Sequence, residues 1–197
     1  MNQALIADAR LRITPIAHRT PVLTSQSFNI TAGVPTFFKC ENLQKGGSFK
    51  IRGAANLVFS LSPAELGRGL VAYSSGNHAQ AVAIAARHAG ACCTIVMPAD
   101  APRSKFEATV GYGATVIIYD RFRESREKIT EEIQNRTGAV LVPPLDHPLI
   151  IGGHGTTAAE LLEDAPEIDA LIAPIGSGLP YESEPKKIPK IFPTARA

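Results

Sequence analysis

The octapeptide Gly46-Gly47-Ser48-Phe49-Lys50-Ile51-Arg52-Gly53 puts a lysine where a lysine can do chemistry. It follows a short apolar run, Thr36–Cys40, that reads as a strand. It precedes Ala54–Phe59, which reads as a helix with Ser48 as its candidate N-cap. A lysine at the opening of a helix meets the positive end of the macrodipole, which favours the neutral amine. A neutral amine beside an aromatic ring, here Phe49, is what a Schiff-base nucleophile needs. Taken alone, the same residues also describe a solvated lysine in a helix's first turn.

Ser74-Ser75-Gly76-Asn77-His78 lies between the strand-like run Leu70–Tyr73 and a helical stretch from Asn77 to His88. Two hydroxyls and an amide at a helix N-terminus suit an anion, whereas capping alone would account for one of them, Ser75 or Asn77. Gly176-Ser177-Gly178 follows the apolar run Ala170–Ala173 and offers unobstructed backbone N–H groups to a phosphate. A dinucleotide fingerprint would need a third glycine where Tyr181 stands, and no P-loop pattern occurs. No two of His78, His88, His147 and His154 are spaced i, i+4 as metal ligands on one helix, so each reads as structural and no metal site is expected. Cys40 and the pair Cys92-Cys93 read as small buried hydrophobes in a reducing, cytoplasmic compartment.

The elements that must position these residues alternate regularly. Apolar runs at 70–73, 92–97, 115–119, 139–142 and 170–173 are separated by helical stretches at 77–88, 104–112, 124–136 and 151–163, and a helix over 2–13 precedes them. Continuously apolar strands joined through helices imply parallel sheets covered on both faces, a doubly wound α/β architecture. Ligands of such folds bind at the carboxyl ends of the strands. The glycine-rich stretches expected in loops there are Gly46-Gly47, Ser74–Asn77, Gly152-Gly153-His154-Gly155 and Gly176–Gly178. Beyond Gly178 the pattern breaks. Pro180, Pro185, Pro189 and Pro193 predict neither helix nor central strand, so residues 179–197 read as an aberrant, disordered tail, as from a truncation or a shifted frame. The net charge of +2 comes from interspersed residues, which offers no nucleic-acid footprint. No apolar run approaches the length of a membrane span, and the start of the chain is too polar for a signal peptide.

Together, Ser48–Ala54 and Ser74–Gln80 resemble the serine racemase and threonine/serine dehydratase family, the fold-type II pyridoxal-phosphate enzymes. The segments Ile95–Pro98, Gly111–Ala114, Ile117–Arg121, Pro144–Pro148 and Gly153–Thr156 extend the resemblance over roughly residues 5 to 178. It implies two lobes: residues 1–69 and 143–178 in a larger cofactor lobe that is incomplete, and residues 70–142 in a smaller substrate lobe. It implies that Lys50 carries pyridoxal 5'-phosphate covalently and later acts as the general base, its pKa depressed by desolvation against Phe49. Phe49 would lie against the pyridine ring, and Asn77 would hydrogen-bond the cofactor's 3'-oxygen. Ser75 would be the second acid/base on the opposite side, and Ser74, Ser75, Gly76, Asn77 and His78 would hold the substrate carboxylate. Gly176, Ser177 and Gly178 match the start of the family's phosphate loop, which is normally four glycines and departs here at Ser177 and Leu179.

The activity so implied is dehydration of threonine or serine to a 2-oxo acid and ammonia, with serine racemisation beside it. A divalent cation, Mg or Mn, is expected in the full-length family, its ligands missing from this chain. Exposed apolar surface on a half-built lobe predicts a homo-oligomer, and the absence of half of the cofactor's cradle predicts little or no turnover for this chain by itself. The rival reading is a non-catalytic α/β module that binds an amino acid or a partner. A nucleotide-binding α/β domain is a weaker third.

Overall fold

The computed structural model describes residues 3–174 and 190–194 of the 197. Its first helix, α1 (Gln3–Ile13), buries Ala9 and Ile13 as the apolar spacing predicts. A hairpin-like pair follows: β1 (Val22–Thr24) runs antiparallel to β2 (Phe37–Lys39). Between them lies α2 (Gln26–Ala32), absent from the periodicity but marked by its ends. Ser25 caps it through the Phe28 N–H, and Gly33 closes it at φ 70°. After α3 (Lys50–Val58) comes a second short helix that hydrophobic spacing misses, α4 (Pro63–Gly67). A capping box between Ser62 and Glu65 and a proline in its first turn set its start.

The chain then builds β3 (Leu70–Tyr73), α5 (Asn77–His88), β4 (Cys93–Pro98), α6 (Arg103–Gly111), β5 (Thr115–Tyr119), α7 (Arg126–Thr137) and β6 (Val140–Leu141). The four strands form one parallel sheet in the order β5-β4-β3-β6. Leu70, Ala72, Ile95 and Met97 turn one face into a core shared with Ala79 and Val82 of α5 and Ile51 and Leu57 of α3. Val71, Val96 and Tyr119 turn the other face to Ile133 of α7. Both faces are covered, as continuously apolar strands require.

The strand order has a direct consequence for the site. From β3 the chain moves outward to β4 and β5, then returns through α7 to place β6 on β3's other side. The loops leaving β3 and β6 therefore flank a topological switch point, where open α/β sheets bind ligands.

The helix expected from residue 151 starts earlier, as α8 (Pro148–Asp164), with His147 as its N-cap and Pro148 in its first turn. Gly152-Gly153-His154-Gly155 is consequently not a loop at the strand ends but part of this helix, and all four residues are buried. The glycines serve helix packing. A Cβ on Gly153 would stand 2.3 Å from the Arg52 carbonyl oxygen, and one on Gly53 would stand 2.5 Å from His154 Nε2. α3 and α8 thus meet backbone to backbone, a spacing only glycine permits.

β7 (Ala170–Pro174) pairs in parallel with β8 (Lys190–Thr194) in a separate two-stranded sheet. This corrects the expectation that the whole of 179–197 is without structure. Among the described residues β8 has one neighbour, and at such an edge a proline's missing N–H costs no ladder bond. The cysteine expectation also changes: Cys93 is buried, but Cys92 is exposed and Cys40 only half-buried. Among the described residues no helix is long and apolar enough to cross a membrane.

Candidate active site

Lys50 is the first residue of α3. The expected cap, Ser48, is not the cap. Ser48 is extended and buried, and Phe49 holds the N-cap position without a side-chain capping bond. Gly46 and Gly47, at φ 74° and 72°, make the left-handed turn that delivers the chain into the helix. Lys50 Nζ donates to the Pro144 carbonyl at 3.1 Å. Burial pulls its pKa down from 10.5 to about 8. The Phe49 ring centroid lies 5.4 Å from Nζ, where its attraction for a cation opposes that lowering. The Phe49 ring is itself set edge-on to His154, centroids 4.8 Å apart.

The Ser74–His78 turn leaves β3 and opens α5. Neither Ser75 nor Asn77 caps that helix. Gly76 is the N-cap and has no side chain to offer, whereas α2, α4, α7 and α8 are each capped by a side chain. The first N–H groups of α5 therefore remain for a ligand. Ser74 Oγ accepts the Gly76 N–H at 3.2 Å, which fixes the turn. Ser75 and Asn77 are exposed, and Asn77 Oδ1 accepts a hydrogen bond from Lys105 Nζ at 2.8 Å.

His78, by contrast, is buried. Its Nε2 bonds the Val142 carbonyl at 2.9 Å, and because a carbonyl only accepts, Nε2 carries the proton. Nδ1 is left with its lone pair and no hydrogen-bond partner. Burial, assisted by the nearby charge of Lys50, pushes the His78 pKa down to about 4, against the opposing effect of the Val142 bond.

Lys50, His78 and the Ser74–Asn77 turn thus converge on the switch point between the ends of β3 and β6. Beside them a polar cleft of about 350 Å³ is lined by Ser74, Ser75, Tyr119, Arg121 and Arg126 among others. Gly176, Ser177 and Gly178 lie outside the described residues. An apolar groove of about 1160 Å³ opens between β2, α8 and β7, with Phe49 in its wall. Among the described residues no three His, Cys, Asp or Glu side chains lie close enough together to hold a metal ion.

The residues present fit an aldehyde cofactor tethered through an amine: a half-buried lysine with a lowered pKa, an uncapped helix N-terminus, and an exposed amide and hydroxyl beside it.

Arg52 escaped functional reading from the sequence. Its side chain is fully buried, gripped by Glu41 through Nε and Nη2 at 2.9 and 2.8 Å and by Glu160 through Nη1 and Nη2 at 2.8 and 2.9 Å. It ties α3, two residues past Lys50, to α8. The available signal was an arginine within a helical stretch, Ile51–Val58, whose other residues are apolar or glycine apart from Asn56.

Comparison with known proteins agrees with this geometry. The pattern of the Pyridoxal-phosphate dependent enzyme family matches residues 13–181. The serine racemase of Schizosaccharomyces pombe is 47% identical over 173 residues, covering 88% of this chain and 54% of that protein. The L-threo-3-hydroxyaspartate ammonia-lyase of Saccharomyces cerevisiae is 48% identical over 173 residues, covering 88% of this chain and 53% of that protein. The structure of maize serine racemase superposes with a TM-score of 0.87 at 48% identity, covering 89% of this chain and 54% of that one. The chain spans about half the length of the relatives it matches. Its α/β architecture with a parallel sheet is that of the fold-type II enzymes.

Proposed function

Since the chain belongs to the Pyridoxal-phosphate dependent enzyme family, we propose that it serves a pyridoxal-phosphate-dependent ammonia-lyase of serine or threonine, with serine racemisation as an allied activity. The observation that carries this reading is Lys50, whose half-buried amine titrates near 8 beside the uncapped start of α5.

In this reading Lys50 holds the cofactor covalently, Phe49 lies against its ring, and Asn77 Nδ2 donates to its 3'-oxygen. The first N–H groups of α5, with Ser74 and Ser75, hold the substrate carboxylate. Gly176, Ser177 and Gly178 would take the phosphate. When bound, the cofactor supplies an electron sink for the pair left on the substrate α-carbon. Lys50 Nζ, neutral in a useful fraction, takes the α-proton. Ser75 Oγ serves the opposite side, returning a proton for racemisation. His78 is buried and neutral, so the lowered pKa of Lys50 rests on burial and not on a neighbouring cation. Overall, the α-proton and β-hydroxyl leave as water, and water then releases ammonia and the 2-oxo acid. Residues 70–142, which form the four-stranded sheet, are the substrate lobe, and residues 1–69 and 143–178 belong to the cofactor lobe. The Mg or Mn ion implied by the resemblance would take its ligands from outside the described residues. A homo-oligomer would cover exposed apolar side chains such as Ile30 and Phe122.

The test is to incubate the chain with pyridoxal phosphate, reduce with borohydride and map the modified peptide by mass. Cofactor fixed on Lys50, and lost in Lys50→Ala, is expected. A chain that fixes none would overturn the proposal and favour the non-catalytic module. Production of 2-oxo acid from serine and threonine, and of D-serine from L-serine, then assigns the substrate and reaction.

A further inference from the structure

We propose that Lys105 is a positioning residue that fixes the amide of Asn77 for the cofactor, an inference that rests on the cofactor reading above. Asn77 is the first residue of α5, and Lys105 is the third residue of α6. Lys105 Nζ donates to Asn77 Oδ1 at 2.8 Å across the gap between the two helices.

An asparagine amide has a donor end and an acceptor end, and a half-turn about its last bond exchanges them. An ammonium has three donors and no acceptor, so it can bond only Oδ1. With Oδ1 claimed by Lys105, Nδ2 is the end free to meet an acceptor, and the cofactor's 3'-oxygen requires a donor. The contact is charge-assisted and polarises the amide, which strengthens the Nδ2–H donor in a chain of two bonds.

Lys105 is well placed for this work. Its backbone N–H is bonded to the Pro102 carbonyl at 2.9 Å, and its carbonyl accepts from Thr109 Oγ1 at 2.7 Å, where Thr109 is fully buried. An exposed lysine–asparagine bond contributes little to stability. Its consequence lies in which way the amide faces.

Two measurements test the proposal. In the chain without cofactor, the side-chain NH₂ signals of Asn77 are assigned by their loss in Asn77→Asp. They should shift in Lys105→Met and return towards their original positions in Lys105→Arg, and unchanged signals in Lys105→Met overturn the proposal. In the chain with cofactor, the visible absorbance of the bound cofactor changes with pH. Losing a cation and a donor near the 3'-oxygen should raise that midpoint by about one pH unit in Lys105→Met. Lys105→Arg should restore it, while borohydride still fixes the cofactor on Lys50 in both variants. An unmoved midpoint with cofactor fixed overturns the positioning role alone. Failure of the unmodified chain to fix cofactor overturns the cofactor reading and with it the role given to Lys105, and the amide signals then report the bare contact separately.

Discussion

Lys50 and His78 are tied to one short stretch of backbone, two residues apart. Lys50 Nζ donates to the Pro144 carbonyl and His78 Nε2 to the Val142 carbonyl. The segment leaving β6 therefore sets both the amine and the imidazole, although one opens α3 and the other lies in the first turn of α5. The same closeness couples their charges, since the ammonium form of Lys50 disfavours imidazolium at His78. One short stretch of backbone at the switch point thus holds a neutral imidazole beside an amine that is easily made neutral.

For Lys50 the consequence is a reactive amine near neutrality. With a pKa of about 8, roughly a tenth of it is neutral at pH 7, against about one part in three thousand for an ordinary lysine. Trace acetylation across a pH series, read lysine by lysine by mass spectrometry, should give Lys50 a midpoint near pH 8. A midpoint near 10.5 would return Lys50 to the solvated lysine that its local sequence also allows.

For His78 the consequence is a dependence of stability on pH. The folded pKa, about 4, lies below the ordinary value of 6.5, so the unfolded chain binds the proton first as pH falls. Stability is fully present above about pH 6.5 and declines as pH drops towards 4, by a total of order 3 kcal/mol. Urea midpoints measured over that window should fall with pH, and His78→Asn should flatten the slope. A profile that is flat in the unmodified chain would refute the burial argument.

What the sequence made legible was the alternation of elements and the two segments that carry polar chemistry, because both are local. Leu70–Tyr73 and Ile95–Met97 announce buried strands by composition, and Ser74–His78 announces a turn by its residue types. Non-local facts stayed hidden. Gly152–Gly155 falls inside the helix expected over 151–163 and yet also reads as a glycine-rich loop, because glycine disfavours isolated helices; the helix prevails with α3 lying against it. Ser48 reads as a cap until Gly46 and Gly47 carry the chain past it and Phe49 takes the N-cap position. Lys105 sits 28 residues from Asn77, and no spacing rule joins them. Helices α2 and α4 were marked only by their caps, because neither is long enough to show a period.

Arg52 should prove one of the most sensitive positions in the fold. Removing its guanidinium, as in Arg52→Met, leaves Glu41 and Glu160 partly buried with a major counter-charge gone. Lys39, 2.8 Å from Glu160, offsets part of that loss at one carboxylate. Breaking a buried pair on one side costs about 3–5 kcal/mol. Chemical denaturation of Arg52→Met should show a loss of that order, and a loss below about 1 kcal/mol would mean the network contributes little.

Gly153→Ala tests the contact on which the placement of Lys50 depends. The added methyl would meet the Arg52 carbonyl oxygen at 2.3 Å and the Gly53 Cα at 2.7 Å, both backbone atoms that no rotamer change can move. α3 and α8 must therefore separate, at the cost of about 1–3 kcal/mol typical of overpacking. Because Lys50 opens α3, the separation should also loosen the amine from the Pro144 carbonyl and admit water. The Lys50 midpoint should rise from about 8 towards 10.5 as burial is relieved. Gly67→Ala is the control, since its Cβ would have nothing within 4 Å and the residue already lies at the end of a helix. It should leave both the unfolding midpoint and the Lys50 titration in place, and equal behaviour of the two variants would refute the close-packing argument.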